Sequence, residues 1–259
     1  MSLFQSILIA IIEGLTEFLP ISSTGHMILA STAMGIHEEE FVKTFEVFIQ
    51  LGAILAIALM YIKRFLRGLN IYFKLITAFL PTALVGFLAY DFIKAYLFNP
   101  IVVSVSLILG GVILIFIDKK VATQGSTVVE VEDISYKNAL FIGLCQCLSM
   151  VLGTSRAAAT IIGGVFNGLD RKQATEFSFL LAVPTMMAAG SYDLLKTELN
   201  FTPTQYLLLA LGFVVAFVSA WVAVKMFLNY VSSHGFTPFG WYRIALGILF
   251  LIFMWGADL

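Results

Sequence analysis

Residues 13–26 read E-G-L-T-E-F-L-P-I-S-S-T-G-H, two carboxylates, four hydroxyls and an imidazole in an otherwise apolar chain. Charge inside hydrocarbon is costly, so ionisable residues there mark functional sites by default. A second polar cluster, G-T-S-R at 153–156, puts a cation in an equally apolar context. Carboxylates, hydroxyls and an arginine together suggest phosphate chemistry on a lipid.

The surrounding composition fixes the solvent. Of 259 residues, 60% are hydrophobic and 12% charged, with mean hydropathy +0.97. Soluble domains carry about 25% charged residues, so the chain reads as an all-α polytopic membrane protein. The formal net charge of −1 says little about partners. Cys145 and Cys147, at C-x-C spacing in an apolar run, read as small packing residues; they form neither a disulfide framework nor a zinc pattern. The start, M-S-L-F-Q-S-I-L-I-A, has no basic region and no small-residue cleavage site, so a cleaved signal peptide is not expected.

An internal repeat organises the chain. A shift of 132 residues lays Ser23 on Ser155 and Phe45 on Phe177, and brings the two polar motifs together. A helix needs about 20 apolar residues to cross a bilayer. Long candidates run over 44–62, 73–93, 99–117, 174–195, 204–227 and 238–256. Regions 2–34 and 137–168 are instead two short apolar arms around a polar tip, and both read as re-entrant hairpins. Such backbone is tolerated at membrane depth only where it is buried in protein or lines a wet cavity. The expected organisation is a first repeat over 1–118, a cytoplasmic linker over 119–136 and a second repeat over 137–259. Each repeat is one hairpin plus three spans. Three is odd, so the second repeat is expected upside down, an inverted-topology fold with its site where the tips meet. The rival, eight simple crossings, needs 21–34 to span despite its polar and small residues.

The positive-inside rule gives an orientation. Lys63, Arg64, Arg67, Lys74, Lys119, Lys120, Lys137, Arg171, Lys172, Lys225 and Arg243 fall on one side, and Lys43, Lys94 and Lys196 on the other. The first side is taken as cytoplasmic. Both termini and the mouth of the first hairpin then face outward, and the second hairpin enters from the cytoplasm.

Glu13 and Glu17 are four apart and share a helix face. Such a pair can share a proton or hold a hard cation, Mg²⁺ or Ca²⁺, through oxygen ligands. Pro20 ends the first arm. Ser22 and Thr24 are candidate helix caps, and a helix start is also an anion site. A hydroxyl beside His26 and the carboxylates is a plausible activated nucleophile. Gly153, Thr154 and Ser155 open the second short arm. Arg156 can fork onto phosphate oxygens, with Thr160 on the same helix face to support it. Gln146 and Ser149 stand near the places of the glutamates, so the second copy is neutral where the first is charged. His37 and His234 sit in turn-like contexts near predicted membrane edges.

These residues carry a family resemblance. E-G-L-T-E-F-L-P-I-S-S-T-G-H closely resembles the first signature of the bacterial undecaprenyl-diphosphate phosphatases of the bacitracin-resistance type. L-G-T-S-R-A-A-A-T resembles their second, P-G-x-S-R-S-x-x-T, with Leu152 for proline and Ala157 for serine. The resemblance covers nearly the whole chain. It implies a metal-assisted phosphatase of the bacterial inner membrane that converts undecaprenyl diphosphate to undecaprenyl phosphate, with its site opening to the periplasmic side. It further implies that Glu13 and Glu17 bind the divalent cation or manage protons. Ser23 is the chosen nucleophile with His26 as base or proton donor, and water as nucleophile stays open. Arg156 would clamp the diphosphate, helped by Ser22, Thr24, Gly25, Gly153, Thr154, Ser155 and Thr160. Expected partners are this lipid and the surrounding membrane lipids, with a homodimer left open and no nucleic acid. The competing reading is a polyprenyl-phosphate flippase or ion-coupled transporter on the same scaffold.

Overall fold

The computed structural model describes residues 1–89, 100–121, 130–197 and 200–256, all helices and connections among its regular elements. A helix α1 (Leu3–Thr16) starts at a capping box in which Ser2 and Gln5 satisfy each other's backbone N–H groups. It stops ahead of Pro20, and α2 (Ser23–Ala33) begins just beyond. Then come α3 (Glu40–Met60), a single turn α4 (Ile62–Phe65), α5 (Asn70–Leu88) and α6 (Pro100–Val121). The second half opens with a 3₁₀ turn (Val131–Asp133) and α7 (Tyr136–Cys147), breaks at 148–155, and resumes as α8 (Arg156–Phe166). Three long helices close the chain: α9 (Arg171–Lys196), α10 (Pro203–His234) and α11 (Thr237–Gly256). Capping boxes at Asp170/Gln173 and Thr202/Gln205, with Pro203 in the first turn, fix the starts of α9 and α10.

The six long expected spans therefore exist as helices with shifted ends, and among the described residues five of them are long and apolar enough to cross a membrane. Helices α1 and α8 are shorter apolar elements. The end of the expected span 73–93, the start of the span at 99, Lys94, and 122–129 of the expected linker lie outside the described residues. Large apolar side chains stand on the outer faces, among them Leu84, Leu109, Phe116, Val214 and Met226, all more than half exposed. A water-soluble protein does not carry such a surface; lipid tails do cover it.

The interior brings helices together in characteristic pairs. Helix α1 packs on α10 and α7 on α5; α3 packs on both α10 and α9; α6 packs on α11; each short helix packs on its hairpin mate. Glycines permit the closest approaches. A Cβ on Gly14 would fall 2.5 Å from the Ala216 carbonyl of α10, and one on Gly143 would meet the Ala78 carbonyl of α5. Phe18, Phe177, Phe179 and Phe227 fill the main core between these helices, with Phe18 and Phe179 edge to face at 5.6 Å.

Arg243, counted above with the cytoplasmic cations, sits within α11 and is 0% exposed. Its guanidinium is satisfied by backbone carbonyls of the interior, which is why a cation can stay there. Lys74 is also buried, and it donates to the Glu132 carbonyl. Arg64 pairs with Glu132 at 2.8 Å and Glu176 at 2.9 Å, tying α4, the 3₁₀ turn and α9 into one ionic cluster.

The packing yields a first prediction. Gly14→Val drives a branched side chain into the α10 backbone and should cost about 1–3 kcal/mol, whereas Gly68→Ala, with nothing within 4 Å of its Cβ, should change little. Thermal unfolding in detergent compares the two.

Candidate active site

The break in each hairpin ends in a serine that caps the following helix. Ser22 accepts from the Gly25 amide at 3.4 Å, and Ser155 from the Ala158 amide at 3.2 Å. Both serines hold left-handed backbone, φ 70° and 69°, the only non-glycine residues with positive φ among those described. That conformation costs about 1–3 kcal/mol and persists where surroundings impose it, often at functional sites. Gly153, at φ 87°, lies against the Val103 backbone, where no Cβ fits. Gly25 is less constrained, since a Cβ there meets only ordinary contacts.

Ser22 and Ser155 are both N-caps, so Ser23 and Arg156 hold the same first-turn position of their helices. Both reach the same carboxylate. The Ser23 hydroxyl donates to Glu17 Oε2, and Arg156 Nη2 donates to Glu17 Oε1 at 2.9 Å. This ion pair is buried, with side chains 10% and 8% exposed.

Arg156 is held from several sides. Its Nη1 donates to the Ser178 carbonyl at 3.1 Å, and its guanidinium lies 5.5 Å from the Phe18 ring centre. Thr160 donates to the Arg156 carbonyl and, at 2.7 Å, to the Ser178 hydroxyl, so it supports the arginine through backbone and neighbour. The Arg156 Nε is buried with no protein acceptor. Thr154 is half-buried and offers its carbonyl inward. Thr24 is half-buried in the first turn of α2.

Glu13 is fully buried, and neither of its oxygens has a protein hydrogen-bond partner. It lies within electrostatic reach of Glu17, Glu46 and Arg156. Buried oxygens without donors fit a hard cation, which often takes one or two carboxylates and completes its shell with phosphate oxygens and water. Among the described residues no cluster of three or more His, Cys, Asp or Glu side chains forms a cage by itself.

His26 faces away from Ser23. Its Nδ1 meets the Ser22 carbonyl at 2.7 Å and its Nε2 the Tyr242 hydroxyl at 2.6 Å. A carbonyl only accepts, so Nδ1 carries the proton and Nε2 accepts from tyrosine. The two rings are parallel within 2°. The group placed to take the Ser23 proton is therefore Glu17. His37 and His234 lie elsewhere, on Ser31 and Tyr230.

Sequence reading missed Tyr242, Ser178 and Glu46. Glu46 had a usable signal, an ionisable residue within an expected span. Tyr242 and Ser178 had none, because their roles come from tertiary packing alone. Gln146, the neutral counterpart of Glu13, is buried and satisfied by Thr82 and Thr185.

The ion pair makes a separable prediction. Glu17→Ala strands a buried guanidinium and should cost about 3–5 kcal/mol. The double variant Glu17→Ala/Arg156→Ala should recover most of that loss in thermal unfolding, since neither charge is left alone.

The family model described as bacitracin resistance protein BacA matches residues 6–249. A protein of Wolinella succinogenes named undecaprenyl-diphosphatase is 49% identical over 254 residues, covering 98% of this chain and 99% of its own. Proteins of the same name from Persephonella marina and Aquifex aeolicus are 48% and 46% identical, each covering 98% of this chain and 100% and 99% of their own. With both signature tips converging on one buried carboxylate, and with likeness running end to end, the chain belongs to the bacitracin resistance protein BacA family.

Proposed function

We propose that this chain is an integral membrane hydrolase that removes the terminal phosphate of undecaprenyl diphosphate, returning undecaprenyl phosphate to the cycle that carries cell-wall precursors. The observation that carries this reading is the joint hold of Ser23 and Arg156 on Glu17. A nucleophile, its proton acceptor and a phosphate-binding cation stand together at the starts of two short helices, whose free N–H groups favour an anion. The near-complete identity coverage of relatives named undecaprenyl-diphosphatase supports the same substrate.

The chain's residues divide the work as follows. Arg156 swings its donors, including the unpartnered Nε, onto the diphosphate oxygens and neutralises charge that grows in the transition state. Released from that pairing, Glu17 accepts the Ser23 proton as Oγ forms a bond to the terminal phosphorus. The bond from that phosphorus to the bridging oxygen breaks, and undecaprenyl phosphate leaves with the electron pair. Water then cleaves the phosphoserine, giving inorganic phosphate and regenerating the hydroxyl. Glu17 returns its proton to the serine oxygen in this second step, while His26, its tautomer fixed by the Ser22 carbonyl, anchors the start of α2 to Tyr242. Glu13 and Glu17 would hold Mg²⁺ or Ca²⁺, which supplies Lewis-acid neutralisation of the phosphate oxygens when bound.

The inverted repeat belongs to the same proposal. Exchanging α1, α2, α3, α5 and α6 with α7, α8, α9, α10 and α11 turns the α1–α10 pair into α7–α5 and the α3–α10 pair into α9–α5. It leaves α6–α11 and α3–α9 unchanged. That reciprocity supports two hairpins entering from opposite faces, and the remaining basic residues support an outward-opening site in the inner membrane.

Phosphate release from undecaprenyl diphosphate in detergent tests the proposal. Wild type should release phosphate only with divalent metal, and Arg156→Ala should abolish release while keeping a folded protein. Glu13→Gln should raise the metal concentration needed for half activity. Tyr242→Phe removes one hydrogen bond, about 1 kcal/mol, and should lower kcat about fivefold. No release by folded wild type under any metal would overturn the hydrolase reading in favour of transport.

A further inference from the structure

Arg243 has no place in the chemistry just described, yet it is the largest fully buried side chain among the described residues. Among the described residues all of its hydrogen bonds go to backbone carbonyls. Nη1 donates to Pro20 O at 3.0 Å and Thr154 O at 2.9 Å. Nη2 donates to Gly153 O at 3.0 Å and Ser106 O at 3.2 Å, and Nε reaches Leu107 O at 3.4 Å. Pro20 lies two residues before the Ser22 cap, and Gly153 and Thr154 directly precede the Ser155 cap. One planar fork thus ties both tips to each other and to α6.

The site around it is built to admit the guanidinium. A Cβ on Gly110 of α6 would lie 2.8 Å from Arg243 Cζ, so only glycine leaves room. Three of the carbonyls it takes, those of Pro20, Gly153 and Thr154, lie where a chain break leaves them without helical partners, and unmet buried carbonyls are costly. Lysine offers no planar fork that could span both tips at once.

We infer that Arg243 is a positioning residue, a clamp that holds the two strained serine caps in register so that Ser23 and Arg156 meet on Glu17. It contacts no reacting atom. Loss of the clamp lets the tips drift, and displacement of about 1 Å can cost about 100-fold in rate. The inference rests on the hydrolase reading for its kinetic consequence but not for its structural one.

The test combines kinetics with amide hydrogen exchange on the full chain in detergent. Arg243→Met should raise exchange at residues 19–25 and 151–158 about tenfold or more, leave α3 and α9 unchanged, and lower kcat about 100-fold with KM within about threefold. Arg243→Lys should recover about tenfold of that kcat loss through its remaining donors. Gly110→Ala, which presses on the clamp from α6 without touching either tip, should lower kcat about tenfold. Unchanged tip exchange in folded Arg243→Met overturns the inference. So does exchange that rises evenly through all helices, with activity lost only in proportion to unfolded protein. Should Arg243→Met fail to fold, Gly110→Ala decides alone, and wild-type kcat and tip exchange there overturn the clamp. A wild type that releases no phosphate sinks the hydrolase reading instead, and tip exchange still decides the clamp.

Discussion

The buried pair between Glu17 and Arg156 is the interaction on which the rest depends. Two opposite charges out of water are stable only when geometry and further hydrogen bonds offset desolvation. Here Ser23, the Ser178 carbonyl and the Phe18 ring supply that surrounding. The partners are 139 residues apart in sequence, so the pair forms only when the two halves have docked. The long helices exist, in effect, to keep a small polar junction dry enough for its charges to bind strongly and firm enough for them to stay put.

Membrane packing explains how that junction is held. Lipid tails give helices little hydrophobic reason to associate, so close contact relies on small residues and satisfied polar groups. Gly14 against α10 and Gly143 against α5 bring the outer arms of both hairpins onto long neighbours. Gly110, Gly111, Gly240 and Gly247 do the same between α6 and α11. The aromatic core from Phe18 to Phe227 fills the wider gaps. Rigidity at the tips is thus inherited from helices whose outer faces simply meet lipid.

Much of this was legible before any coordinates. Polar tips between short apolar arms announced the two broken helices, and Glu17, Ser23 and Arg156 announced phosphate chemistry. Three things were hidden, each for a physical reason. Local sequence does not tell which serine takes left-handed backbone, and it is Ser22, not Ser23, that caps its helix as Ser155 does. Charge counting treats every arginine as seeking water, whereas Arg243 is buried with its guanidinium solvated by carbonyls. And adjacency of His26 to Ser23 in sequence suggested a catalytic pair, whereas the helical turn sends the imidazole toward Tyr242 and leaves the hydroxyl to Glu17.

The position of Tyr242 and Arg243 near the end of the chain has a consequence for synthesis. The ribosome delivers Glu13, Glu17 and Ser23 first, Arg156 more than a hundred residues later, and the helix that carries Tyr242 and Arg243 later still. A half-made chain carries its carboxylates and hydroxyls into the membrane without their cation or their clamp. The backbone carbonyls of both tips therefore gain their shared guanidinium only when α11 packs against α6.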